Sequence, residues 1–241
     1  LGAIVFAITQ ADGAGWLSGQ TLLVGTGGLV GLAAFAAVER HTAAPLLRIE
    51  RLADRAVGGG MVLMIAAAGA IFGLFLLSSL YLQNVLGMAP LETGLAFIPL
   101  ALAAGAGAHA AGHMVGRHGV RGPLATAFAI AAAGMALLAH VGENGSYLRD
   151  VLPGMLVAGA GLGVAVVSVS IAILTGVRDE ETGMISGLNS TGHEIGGTIG
   201  IAVFSTIAAG SGVIAGPQAA AGIAHAFIAA GLLASVASIV A

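Results

Sequence analysis

The sequence predicts an all-α, polytopic membrane helix bundle, and three observations predict it. First, the 241 residues are 58% hydrophobic and 8% charged, with a mean hydropathy of +1.02. A soluble domain carries about 25% charged residues, so this chain cannot clothe a water-facing surface. Second, apolar residues fall in runs of about 18–25, the length a helix needs to cross a hydrocarbon core of about 30 Å. These runs lack the period-two alternation of barrel strands. Third, the charges gather in the breaks between runs, and arginine occupies alternate breaks.

The elements follow in order. Leu1–Thr9 is an apolar stub. Nine helical residues cover about 13 Å, less than half the core. With no initiating Met and an apolar end at Ala241, the chain reads as a fragment of a longer protein. Seven spans follow at about Thr21–Val38, Gly58–Leu82, Thr93–Ala111, Leu124–Val141, Val151–Thr175, Ser186–Ala209 and Gly222–Ala241. Loops 39–57, 112–123 and 176–185 hold Arg40, Arg48, Arg51, Arg55, Arg117, Arg121 and Arg178, while the opposite loops hold only Arg149. By the positive-inside rule the arginine-bearing side is cytoplasmic. Trp16, Tyr81 and Tyr147 fall toward the outer side, where interfacial aromatics belong.

The longest loop, ERHTAAPLLRIERLADRA (39–56), is the best internal boundary. Its charge pattern fits either a surface amphipathic helix or a solvated linker. The expected organisation is therefore residues 1–38 as the end of one span and all of a second, 39–57 as a cytoplasmic loop, and 58–241 as a six-helix bundle. Six spans suit two three-helix units, as in secondary transporters.

Several chemistries are excluded. Without cysteine there is no disulfide or thiolate chemistry. GAGLG (159–163) lies inside a span with no strand before it, so it is no dinucleotide site; Gly159 and Gly163 fit close helix packing instead. No basic, aromatic surface suits nucleic acid. His109 and His113 are four apart, a spacing for two metal ligands, but no third ligand shares their helix and Arg117 opposes a cation. No metal or cofactor is expected. Met61, Met64, Phe72 and Phe75 suit either a greasy pocket or the lipid-facing and core positions such residues commonly fill. Gln83, Asn84 and Glu92 bracket an outer loop.

The candidate site is SGLNSTGHEIGGTIGIAV (186–203). An ionisable residue inside a span costs about 3 kcal/mol on insertion scales and is by default a functional hypothesis. On a helix starting near Ser186, Glu194 shares a face with Thr191 and Thr198, while Asn189, His193 and Gly197 form a neighbouring stripe. Gly192, Gly196 and Gly200 recur every four residues, as in close-packed helix pairs. The expectation is a tightly packed face beside a polar one, with Asn189, Thr191, His193, Glu194 and Thr198 on a substrate or proton path. Structural packing and exposure near the cytoplasmic end are the alternatives for Glu194.

Two stretches carry a family resemblance: YLQNVLGMAPLETGLAFIPLALAAG (81–105) with AGHMVGRHGVRGPL (111–124), and GVRDEETGMISGLNSTGHEIGGTIGIAV (176–203). Together they resemble the C-terminal half of the major facilitator superfamily, and more narrowly its fourteen-helix drug:proton antiporter branch. The resemblance implies that the stub and Thr21–Val38 are the branch's two extra helices and that 58–241 is its C-terminal six-helix half. GHMVGRHGVRG resembles the superfamily's Gly-x-x-x-Asp-Arg-x-Gly-Arg loop motif at Gly112, Arg117, Gly119 and, with one position of slippage, Arg121. The acidic position is Gly116 here, which weakens the charge latch that motif provides. The implied function is proton-coupled efflux of small amphiphilic drugs or metabolites, through the bacterial plasma membrane and together with a missing N-terminal half. A uniporter or importer on the same scaffold, and a membrane scaffold domain, are the alternatives; no enzyme is expected.

Overall fold

A computed structural model describes residues 6–7, 18–42, 54–210 and 216–241. Among these, every regular element is helical. Most of the stub, Trp16 and most of the expected amphipathic segment over 39–56 lie outside the described residues. The chain forms two compact units, 1–58 and 59–241.

In the first unit, α1 (Gly19–His41) starts where Ser18 caps it, its Oγ accepting from the Thr21 N–H at 3.2 Å. Leu23, Leu29 and Val30 stand exposed along it, as lipid contact requires of an apolar span.

The second unit is built from α2 (Arg55–Leu80), which all but its first turn contributes, then α3 (Pro90–Ala96), α4 (Ile98–His118), α5 (Arg121–Leu138), α6 (Leu152–Leu174), α7 (Asp179–Ala209) and α8 (Ala220–Val240). A π-helical turn at Tyr81–Val85 ends α2, and another at Tyr147–Val151 leads into α6. By length and apolarity, six segments among the described residues can cross a membrane.

The helix α7 does not qualify on composition, yet its neighbours carry it across. It begins beyond the end of α6, beside Arg178, and is followed by Gly216, whose N–H donates to the Asn84 carbonyl at the opposite end of α2. It starts at Asp179, seven residues earlier than apolarity predicts. The acidic first turn complements the positive end of the helix dipole. Arg178 pairs with Glu181 at 2.9 Å, and that carboxylate holds the guanidinium above its usual pKa.

Missing side chains set the packing. Along α7 and α2 the contacts step together four residues at a time: Gly192 beside Met61, Gly196 beside Ile65, Gly200 beside Gly69 and Phe204 beside Gly73. The two helices therefore run parallel. On α6, Gly159 and Gly163 lie against Leu100 and Ala104 of α4, while Gly154 and Gly161 lie against Leu138 and Ala131 of α5. Without a hydrophobic drive between helices in lipid, such close approach supplies the dispersion contacts that hold the bundle. Phe128, Met135, Leu138, Met155, Leu162 and Phe227 fill the space between α5, α6 and α8.

The two ends of the bundle differ. At the end away from Arg117, Arg121 and Arg178, the Tyr81 hydroxyl donates to the Gly142 carbonyl and the Tyr147 hydroxyl to the Ala96 carbonyl, both at 2.7 Å. These bonds tie α2 and α6 to the outer connections. Glu92, at that end, accepts from the Ala89 N–H at 3.0 Å and so closes the start of α3.

Candidate functional site

Glu194 is the sixteenth of the 31 residues of α7, about 22 Å along a helix of about 46 Å. Because Gly192 lies beside Met61 and Gly196 beside Ile65, Glu194 stands level with Leu63, eight residues or about 12 Å from Arg55 at the start of α2, in the half of the bundle that carries the arginines. Its side chain is 78% exposed and that of His193 is 32% exposed. His193 Nδ1 stands 3.6 Å from Glu194 Oε1, an ion pair when the imidazole is protonated but too long for a good hydrogen bond. The His193 ring meets Phe72 of α2 edge-on, with centroids 5.5 Å apart.

The two faces of α7 are unlike. On the packed face, a Cβ at Gly196 would strike the Ile65 backbone, with Ile65 Cα at 2.7 Å. A Cβ at Gly200 would strike the backbone of Gly69, and one at Gly192 would reach Met61 Cε at 2.7 Å. On the other face Gly183, Gly187, Ser190 and Glu194 are exposed at helical spacing, and Cβ atoms at Gly183 and Gly187 would meet nothing within 4 Å. A lipid-facing surface of a membrane helix is apolar; these four positions are small or polar and end on a carboxylate, and two turns further along Ile201 is exposed.

The residues grouped from the sequence separate in space. Thr191 and Thr198 donate to the carbonyls of Gly187 and Glu194, each at 2.9 Å, so their hydroxyls satisfy the helix backbone and not the Glu194 carboxylate. Asn189 turns toward α6, where its Nδ2 donates to Ser170 Oγ at 3.1 Å and Ser170 donates to the Val166 carbonyl. The Asn189 Oδ1 is buried without a partner. A cavity of about 350 Å³ opens there along Val167, Ser170, Ile171, Leu174 and Thr175. Ser170 was not legible as a partner: helix rotation pairs residues 19 apart, and only a hydroxyl in an apolar run hinted at it.

The loop motif is mostly helix. Gly112 and Arg117 lie on the last two turns of α4, and Gly119 ends it at φ 71°, a conformation that favours glycine. Arg121 opens α5. Arg117 and Arg121 are exposed and form no ion pair with a described residue, and a Cβ at Gly112 or Gly116 would meet nothing within 4 Å. His109 and His113 are exposed with ring centroids 5.4 Å apart, and among the described residues no third ligand joins them. Met61 and Met64 are buried under Gly192, whereas Phe72 is half-buried and Phe75 exposed.

A family model described as Major Facilitator Superfamily matches residues 1–201. The chain is similar to the multidrug resistance protein Stp of Mycobacterium tuberculosis, at 31% identity over 87% of this chain and 38% of that protein. It is similar to the puromycin resistance protein pur8 of Streptomyces alboniger, at 32% identity over 87% of this chain and 42% of that protein. A third relative is the tetracenomycin C resistance and export protein of Streptomyces glaucescens, at 30% identity over 86% of this chain and 38% of that protein. The chain spans about two fifths of the length of these curated relatives. With its apolar helices and this match over most of its length, the chain belongs to the Major Facilitator Superfamily, a family of multi-pass membrane transporters and not of enzymes.

Proposed function

We propose that the whole protein exports small amphiphilic organic compounds across a bacterial plasma membrane in exchange for protons, and that residues 58–241 are the C-terminal half of the transporter. Residues 1–38 are then the two extra helices of a fourteen-helix antiporter, 39–57 the cytoplasmic link, and a missing N-terminal half supplies the other wall of the path. Alternating access rocks the two halves about a shared site. The observation that carries this reading is the exposed Glu194 carboxylate about two turns into the bundle from its arginine-bearing end, on a face with exposed Gly183, Gly187 and Ser190. A charge at that depth is tolerated where it lines a water-filled path or meets a partner, and not against lipid. A pure scaffold would bury Glu194 within a helix pair, and the packed face of α7 is the other one. The relatives' printed names, of multidrug, puromycin and tetracenomycin C resistance, support export over uptake.

In this mechanism Glu194 takes a proton from the outside, releases it inside, and holds a cationic substrate while deprotonated. His193, with Nδ1 3.6 Å from the carboxylate, tunes it electrostatically. The test is pH-gradient-driven efflux of a fluorescent lipophilic cation from an efflux-deficient bacterium carrying the full-length gene. Wild type is expected to export the dye, and Glu194→Gln at equal expression is expected to lose at least tenfold in rate, about 1.4 kcal/mol in barrier. Equal export by both places proton coupling outside this half; no export by wild type sinks the exporter reading.

A further inference from the structure

We propose that His109 and His113 on α4 form a two-imidazole site for a divalent transition-metal ion, with Zn2+, Ni2+ or Cu2+ as the class of ligand. The sequence counted the missing third ligand against this pair; the structure supplies the ring geometry, which the sequence could not.

The two residues stand one turn apart on the same stripe of α4, both exposed. A tetrahedral ion holds each imidazole nitrogen at about 2.0–2.1 Å, which places the two ring centroids about 5.2 Å apart. The observed separation is 5.4 Å. His113 Nδ1 lies 3.5 Å from the His109 carbonyl. In the tautomer that donates there, the Nε2 lone pair is left for an ion, the arrangement metal-bound histidines commonly adopt. No nitrogen of the His109 ring has a hydrogen-bond partner among the described residues.

The surroundings favour this class of ion. Both rings lie inside the span Pro90–His118, nine and five residues before its last residue, or about 14 and 8 Å. An exposed ionisable ring within a span marks an ion or substrate route by default. Gly105, Gly112 and Gly116 flank the pair, and a Cβ on any of them would meet nothing within 4 Å, so a hydrated ion can approach. From residue 93 to 142 the chain carries no Asp or Glu. A donor set of imidazole without carboxylate selects against Mg2+ and Ca2+, which take oxygen ligands. Arg117 stands about 9 Å along the axis from the middle of the pair, and in water its charge weakens a dication about fivefold. Two ligands from one helix leave two tetrahedral positions for water or for a donor outside the described residues.

The test uses the full-length protein, without a histidine tag, in lipid nanodiscs. Zn2+ binding is measured by calorimetry, and Cu2+ by the nitrogen splitting of its electron paramagnetic resonance spectrum. Wild type is expected to bind a Zn2+ ion that His109→Gln and His113→Gln each hold at least about tenfold more weakly, because the second imidazole no longer binds intramolecularly. His118→Gln, off that stripe, is expected to bind as wild type does, and excess Mg2+ is expected to leave the Zn2+ in place. The Cu2+ spectrum is expected to show two imidazole nitrogens in wild type and one fewer in each of the first two variants. The site is overturned if wild type binds no Zn2+, if His109→Gln or His113→Gln binds as wild type does, if His118→Gln loses the ion equally, or if Mg2+ displaces it. Binding is read without transport: a protein that exports no dye and still binds the ion loses the exporter reading and keeps the site.

Discussion

Two sets of glycine occupy the same helix for opposite reasons. Gly192, Gly196 and Gly200 have no room for a methyl group, because α2 lies against them. Gly183 and Gly187 have nothing within 4 Å of the Cβ they lack. A glycine inside a helix costs about 0.5–1 kcal/mol relative to alanine. The first set returns that cost through close packing within the bundle. Among the described residues the second set packs against nothing, and neither do Gly105, Gly112 and Gly116 on α4. Small exposed residues suit the close approach of a further helix, which the N-terminal half of the proposed transporter would supply; the relatives are more than twice as long as this chain.

Substitutions can break this comparison. The largest effect belongs to Gly196→Ala, which drives a methyl into the Ile65 backbone and separates α7 from α2. Overpacking of this kind costs about 2–3 kcal/mol, read as a lower melting temperature of the full-length protein in detergent. Tyr147→Phe comes next. It deletes the 2.7 Å bond to Ala96 and is expected to cost about 1 kcal/mol in the same assay. Gly187→Ala is smallest, expected to be neutral or stabilising by about 0.5 kcal/mol. In efflux assays Gly187→Ala is expected to slow transport, because the methyl then stands on the outward face. Equal harm from Gly196→Ala and Gly187→Ala in the melting assay would collapse the distinction between the two faces.

The sequence made part of this legible, and the reasons are physical. Membrane spans announce themselves because lipid admits only long apolar helices. The four-residue glycine period was readable because helix pairs in lipid need small residues at that repeat. The true start of α7 was not readable. Asp179, Glu180 and Glu181 look like a polar loop, although an acidic first turn is what a helix N-terminus favours. The grouping of Asn189 with Glu194 came from placing the polar residues of one segment on adjoining stripes. The structure turns Asn189 to Ser170 on α6, a pairing set by helix rotation and tilt that no local pattern encodes.

The parallel seam between α2 and α7 also has a consequence in time. Gly69 waits for Gly200, about 130 residues later in the sequence. A ribosome adding about 5–20 residues per second needs roughly 7–26 seconds to cover that distance. Throughout that interval α2 lacks the α7 face that fills its glycine groove in the finished bundle, because α4, α5 and α6 come between them in the sequence. The nascent bundle therefore closes its first helix with nearly its last, and an insertion machinery that shields α2 during the delay guards the seam on which the finished half depends.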